Sequence, residues 1–207
     1  MKALLFINGK APRVWPDLEG YALVACTDGA FRYLEALAFP LARLDFVSGD
    51  FDSLPEAERL GRVYDIEVIP TPDQDKTDFH KALEILFQRG VLQVDVYGAS
   101  GGEMDHFLGN LTVAFAFREK LELRFFDEYS TYYFIPEEAE LKGVYGRTIS
   151  LYPFPVAHNV RTEGLRWRLN GETLDQTVRI GTRNIAEKET VSIGYSGGSL
   201  LVFVGEE

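Results

Sequence analysis

Three aspartates stand within six positions in TPDQDKTDFHKAL, residues 71 to 83: Asp73, Asp75 and Asp78. A further pair, Asp50 and Asp52, flanks a phenylalanine in SGDFDS, and two other segments each carry an aspartate, Asp28 in TDGA and Asp105 in GASGGEMDH. Carboxylates sharing a site raise one another's pKa unless a cation relieves the repulsion. One or two carboxylates plus a substrate phosphate is how Mg2+ is usually held, so these residues point to a phosphorylated substrate handled with a hard divalent ion. Other chemistries are less well supplied. His80, His106 and His158 are scattered without the spacing of a zinc site. Ser53 and Ser100 lack the histidine and acid partners of a serine nucleophile.

The acids can act together only if the fold gathers them. Up to about residue 124, short apolar runs alternate with amphipathic patterns, predicting strands over 2–7, 22–27, 44–48, 66–70 and 92–97 and helices near 30–38, 55–61, 77–89 and 105–119. The strands read as continuous apolar runs, as parallel strands covered on both faces do. In the third helix Phe79, Ala82, Leu83, Leu86 and Phe87 form one stripe, and Met104, Leu108, Leu111 and Phe115 repeat it in the fourth. This βα alternation predicts an open, Rossmann-like parallel sheet with flanking helices.

Ligands of such sheets bind at the carboxyl ends of the strands. Four consecutive strand ends deliver acids there: Asp28; Asp50 with Asp52; Asp73, Asp75 and Asp78; and Asp105. A single aspartate at such a place is ordinarily a helix cap or a turn residue, and the recurrence is what points to a site. An extended GDFDS segment would turn Asp50 and Asp52 to the same side if Phe51 anchors inward, with Gly49 supplying the turn. Gly98, Gly101 and Gly102 lie between a strand and a helix, where backbone N–H groups can approach an anion. The spacing is neither a P-loop nor a dinucleotide fingerprint.

Beyond about residue 125 the helical periodicity stops. STYYFIP, GRTISLYPFP, LRWRLNGETL, ETVSIGYSGG and SLLVFVG alternate and are separated by Gly, Pro or Asn-Gly, the pattern of an antiparallel β-sandwich. Two domains are expected, 1–124 and 125–207.

Of the 207 residues, 46% are hydrophobic and 13% aromatic, enough to bury a core. The formal charge of −11 argues against a nucleic-acid partner, because phosphate backbones are bound by excess Lys and Arg. No run of 18 apolar residues predicts a membrane span, and the opening MKALLFINGK breaks too early for a signal peptide. The lone Cys26 is expected in the core, so a cytoplasmic location follows as the expectation.

In order and spacing, ACTDGAFRYLE, SGDFDSL, TPDQDKTDFHKAL, GGEMDHFLGNL, TEGLRWRLNGETL and GTRN resemble the motifs of the thiamine pyrophosphokinase family, over residues 23 to 204. The resemblance implies an enzyme that moves the terminal diphosphate of ATP to the hydroxyl of thiamine, giving thiamine diphosphate and AMP. It implies an α/β nucleotide domain followed by a β-sandwich, paired as a homodimer with thiamine between subunits. Carried over by motif, Asp50, Asp52, Asp78 and Asp105 would serve the reaction, with Asp50, Asp52 and Asp78 on Mg2+. Asp28, Gly29, Thr77, Lys81, Gly101, Gly102 and His106 would serve the ATP phosphates, and Gln74, Trp167 and Asn184 thiamine.

The chain departs from the family pattern at three places. Glu103 and Met104 replace a basic residue and an aromatic, leaving Lys76, Lys81 or Arg32 to take an arginine's place; Arg183-Asn184 replaces Ser-Asn; Ala30 replaces the second glycine of DGG. Two other readings fit the same residues: a diphosphokinase acting on another acceptor, such as a hydroxymethylpterin, and a nucleotide- or thiamine-binding module without catalysis.

Overall fold

The computed structural model describes residues 1–51 and 62–206, so Asp52, Ser53 and the helix expected over 55–61 lie outside the described residues. The chain divides into two compact units, Met1–Asp127 and Glu128–Glu207. In the first, strands β1 (Lys2–Phe6), β2 (Leu23–Thr27), β3 (Phe46–Gly49), β4 (Glu67–Pro70), β5 (Gln93–Tyr97) and β6 (Glu122–Phe126) form a parallel sheet in the order β4-β3-β2-β1-β5-β6. The last strand, ELRFF, is the one that apolar runs alone did not pick out. Helices α1 (Asp28–Ala36), α2 (Asp78–Gln88) and α3 (Met104–Phe117) follow β2, β4 and β5.

Both faces of this sheet are covered. Leu4 and Phe6 join Ala30, Phe31 and Leu34 of α1 in one core cluster, while the intervening Ala3 and Leu5 are equally buried. Cys26 belongs to the same cluster. Trp15, Phe6 and Phe39 pack edge to face at its rim, with centroids 5.1–5.9 Å apart. Asp95, buried within β5, is balanced by Lys2 at 2.7 Å and the Tyr21 hydroxyl at 2.5 Å.

The stripe expected on α3 divides. Leu111 is buried with Val113, Ala114 and Phe117, and Phe115 is half-buried, but Met104 and Leu108 are 67% and 61% exposed. Periodicity finds the apolar face of a helix; it does not say how much of that face meets the sheet.

The second unit is antiparallel. Strands β7 (Ser130–Ile135), β8 (Glu138–Lys142), β9 (Thr148–Glu163), β12 (Thr190–Gly194) and β13 (Gly198–Gly205) run in the order β7-β13-β9-β12-β8, and β10 (Asn170–Asp175) and β11 (Gly181–Ile185) both pair with β9. Its core includes Ile149, Leu151, Val160, Leu174, Val191, Leu200 and Val202. With the first unit it gives the expected fold class, α/β followed by a β-sandwich. β9 runs on through Pro153 and Pro155, where a strand end was expected. The β9–β13 ladder shifts register between Gly198 and Leu200, opposite these prolines, and such an irregularity is where a sheet tolerates residues that cannot donate.

Candidate active site

All strands of a parallel sheet end at the same edge, and here five of those ends surround one cavity of about 460 Å³. Asn8 and Gly9 follow β1, Thr27 closes β2, Asp50 follows β3, Gln74 and Thr77 lie between β4 and α2, Asp78 and Lys81 are on α2, Gly102 lies between β5 and α3, and Asp105 and His106 are in the first turn of α3. Of the acids expected to converge, Asp50, Asp75, Asp78 and Asp105 line the cavity.

Asp28 is buried at the start of α1. Its Oδ1 accepts from the Gly29 N–H (2.7 Å) and its Oδ2 from the Phe51 N–H (2.9 Å). Burial raises its pKa above the ordinary aspartate value; the negative charges of Asp78 and Asp50 add to the rise, against the two backbone donors. Three carboxylates are thus close enough to repel. An all-oxygen set under this strain fits a hard divalent cation.

The residues around Asp50 depart from the expected extended segment. Phe51 packs on the core, but its backbone is left-handed (φ 60°), so the chain is not extended at this residue, and Asp52 lies outside the described residues. Gly49 is required by contact rather than by a turn: a Cβ there would sit 2.3 Å from Asp28 Cγ and 2.6 Å from both its oxygens. Asp50 is held by Gln74, whose Nε2 donates to Oδ2 at 3.2 Å.

The loop ahead of α2 is tied down from inside. The Lys81 Nζ donates to the carbonyls of Thr71 (2.8 Å) and Asp73 (3.1 Å) and lies 2.8 Å from Asp78 Oδ1, with the residue only 6% exposed. Thr77 caps the helix by accepting from the His80 N–H at 3.2 Å. Lys76 pairs with Glu84 at 2.7 Å. Two of the three cations offered in place of the family's arginine therefore already carry carboxylate partners.

On the glycine side, Gly29 lies against the Asn8 side chain, and Gly101 (φ 77°) against Lys10. Gly9 and Gly98 are locked together, since a Cβ on Gly9 would meet the Gly98 carbonyl oxygen at 2.3 Å. One histidine, His106, stands beside two acids at the start of α3. Candidate ligand atoms of Glu103, Asp105 and His106 lie within 4.8 Å of one another, all three residues exposed.

Trp167 and Asn184 belong to the second unit and lie together. Trp167 is 58% exposed, not sandwich core. Asn184 Oδ1 accepts from the N–H of Trp167 (3.1 Å) and of Ile185 (2.9 Å), and its Nδ2 donates to the Trp167 carbonyl (2.7 Å). Both ends of the amide are spent on backbone. Arg183, left-handed at φ 56°, donates its N–H to Ser150 Oγ (2.9 Å).

Sequence reasoning missed Asn8, Gly9 and Thr27. The signal was present: INGK follows a predicted strand, and in a parallel sheet that end faces the same edge as the others.

Residues 17–125 match the family described as thiamin pyrophosphokinase, catalytic domain, and residues 133–200 match thiamin pyrophosphokinase, vitamin B1 binding domain. The chain is 27% identical over 215 residues to the thiamine pyrophosphokinase of Bacillus subtilis (strain 168), covering 98% of each. It is 29% identical over 219 residues to thiamine pyrophosphokinase 1 of Oryza sativa subsp. japonica, covering 92% of this chain and 82% of the relative. In fold it is similar to thiamin pyrophosphokinase from Candida albicans, with a TM-score of 0.86 at 16% identity over 100% of this chain and 89% of the other. A thiamin pyrophosphokinase family protein from Enterococcus faecalis gives a TM-score of 0.83 at 22% identity over the whole of both chains.

Proposed function

The chain belongs to the thiamine pyrophosphokinase family, and from that premise we propose that it transfers the diphosphate of ATP to the hydroxyl of thiamine, releasing thiamine diphosphate and AMP. The observation that carries this reading is the convergence of Asp50, Asp78 and Asp105 on one cavity at the carboxyl edge of the sheet.

Asp50 and Asp78, with Asp52 outside the described residues, are the proposed holders of Mg2+. When bound, Mg2+ supplies neutralisation of the triphosphate and of the charge that develops during transfer. Gln74 fixes the Asp50 carboxylate, and Lys81 and Thr77 fix the loop that presents Asp78. Gly102, Asp105 and His106, which line the cavity, form the wall proposed for the phosphates, and Gly101 precedes it in the loop. The Trp167 ring would stack on thiamine, with a cation–π gain of roughly 0.5–2 kcal/mol on its thiazolium. A homodimer with thiamine held between subunits is part of the same proposal. Among the described residues no helix is long and apolar enough to cross a membrane.

The test is AMP release from ATP and Mg2+ with thiamine as sole acceptor. Thiamine diphosphate should form in equal amount, and a hydroxymethylpterin should give none. Absence of thiamine-dependent AMP would overturn the reading.

Asn184 serves, on this reading, by holding the Trp167 backbone. Asn184→Ala should raise KM for thiamine several-fold with a smaller change in kcat, and lower stability by about 1 kcal/mol. An unchanged KM would count against it.

The raised Asp28 pKa sets a pH dependence. Because the folded-state value lies above the unfolded one, the metal-free protein binds more protons folded than unfolded over that interval. It therefore loses stability as pH rises from the ordinary aspartate value through the raised one. Mg2+ should offset this loss, so the Tm gained on adding MgCl2 should be larger at about pH 8 than near the ordinary aspartate value of about pH 4. Equal gains would contradict the cation site.

A further inference from the structure

Thr27 closes β2 at the N-cap position of α1, with φ −79° and ψ 158°, yet its side chain makes no capping hydrogen bond. A threonine there ordinarily turns its hydroxyl onto the N–H of the second or third helical residue. Here the residue is 2% exposed, Oγ1 is buried with no hydrogen-bond partner among the described residues, and the residue lines the cavity with Asp50 and Asp78. Buried hydroxyls are almost always paired, so an unpaired one at a cavity wall implies a partner that arrives with a ligand or a water.

The chemistry of the wall narrows which ligand. Ionised carboxylates only accept hydrogen bonds, and so do the oxygens of a phosphate. Lys76 and Lys81 are engaged by Glu84 and Asp78. A hydroxyl can donate. We propose that Thr27 is a further substrate-binding residue, its Oγ1–H donating to a phosphate oxygen of the ATP tail; this rests on the diphosphokinase reading above. The contact places the tail over the end of β2, in the centre of the sheet, where the cation held by the acids can also reach it.

The competing partner is a fixed water. Ser48 is the register neighbour of Thr27 on β3, and its buried Oγ is likewise unpaired, so a water could bridge the two hydroxyls.

Thr27→Val keeps the shape and removes the hydroxyl, and Thr27→Ser keeps the hydroxyl. For valine we expect an unchanged or higher Tm without ligand and about a ten-fold loss in kcat/KM for ATP. The Tm gain on adding α,β-methylene-ATP with Mg2+ should also be smaller; serine should stay near wild type in all three. A valine variant equal to wild type in kcat/KM and in nucleotide-induced Tm gain overturns the proposal. So does a fall in ligand-free Tm with an unchanged nucleotide response, which assigns the hydroxyl to the bridging water. If valine does not fold, Thr27→Ala reads the same hydroxyl. A wild type that forms no AMP from thiamine, while valine still blunts the nucleotide-induced gain, would sink the diphosphokinase reading and leave the Thr27 contact standing.

Discussion

Asp50→Asn should lower thiamine-dependent AMP formation by roughly 10²–10³-fold while leaving the fold intact, the scale seen when one preorganised electrostatic contact to a transition state is removed. Asparagine has the same shape, and Gln74 can still meet its amide. What disappears is one negative charge in the cavity that also holds Asp78 and Asp105. With less repulsion to relieve, the site should bind Mg2+ more weakly, so part of the lost rate should return at high Mg2+. The Asp28 pKa should also fall toward the ordinary value, since Asp50 is one cause of its rise. Steady-state kinetics across a Mg2+ series distinguishes these outcomes. Wild-type turnover in Asp50→Asn would remove Asp50 from the reaction.

Gly49→Ala should cost roughly 2–3 kcal/mol of stability and most of the activity, through a single methyl group. The new carbon would lie within 2.6 Å of both Asp28 oxygens. The strand cannot retreat, because β3 is paired on both sides, to β2 and to β4. Asp28 must therefore swing away, abandoning the N–H groups of Gly29 and Phe51 in a buried place. The coupling is directly measurable: adding Asp28→Ala to Gly49→Ala should recover part of the lost Tm and none of the activity, a non-additive cycle. Strict additivity in denaturation would show that the clash is relieved elsewhere.

Much of this site could be read from residue order because a parallel sheet turns chain position into spatial position. Once the apolar runs ending at Thr27, Gly49, Pro70 and Tyr97 are strands, the residues after them share an edge. The acids mark four of the strand ends, whereas Asn8 and Gly9, at the end of the first strand, carry no charge to mark it. Conformation at single residues was less legible. Gly49 suggested a turn, but the left-handed residue is Phe51, and the glycine answers to the carboxylate of a residue 21 positions earlier. No local pattern encodes that contact. For the same reason Asn184, chosen as a ligand contact, has its amide turned to the backbone of Trp167, and Met104 and Leu108 carry core spacing yet face outward.

The two tryptophans of the chain are divided between its two units: Trp15 is wedged edge-on between Phe6 and Phe39, and Trp167 stands exposed beside Arg166. The molecule thus carries two intrinsic fluorophores in different environments, the first half-buried and the second exposed. Iodide should reach the second more readily than the first. Quenchable emission then reports on what covers the sandwich unit and shielded emission on the integrity of the nucleotide unit, with no label attached.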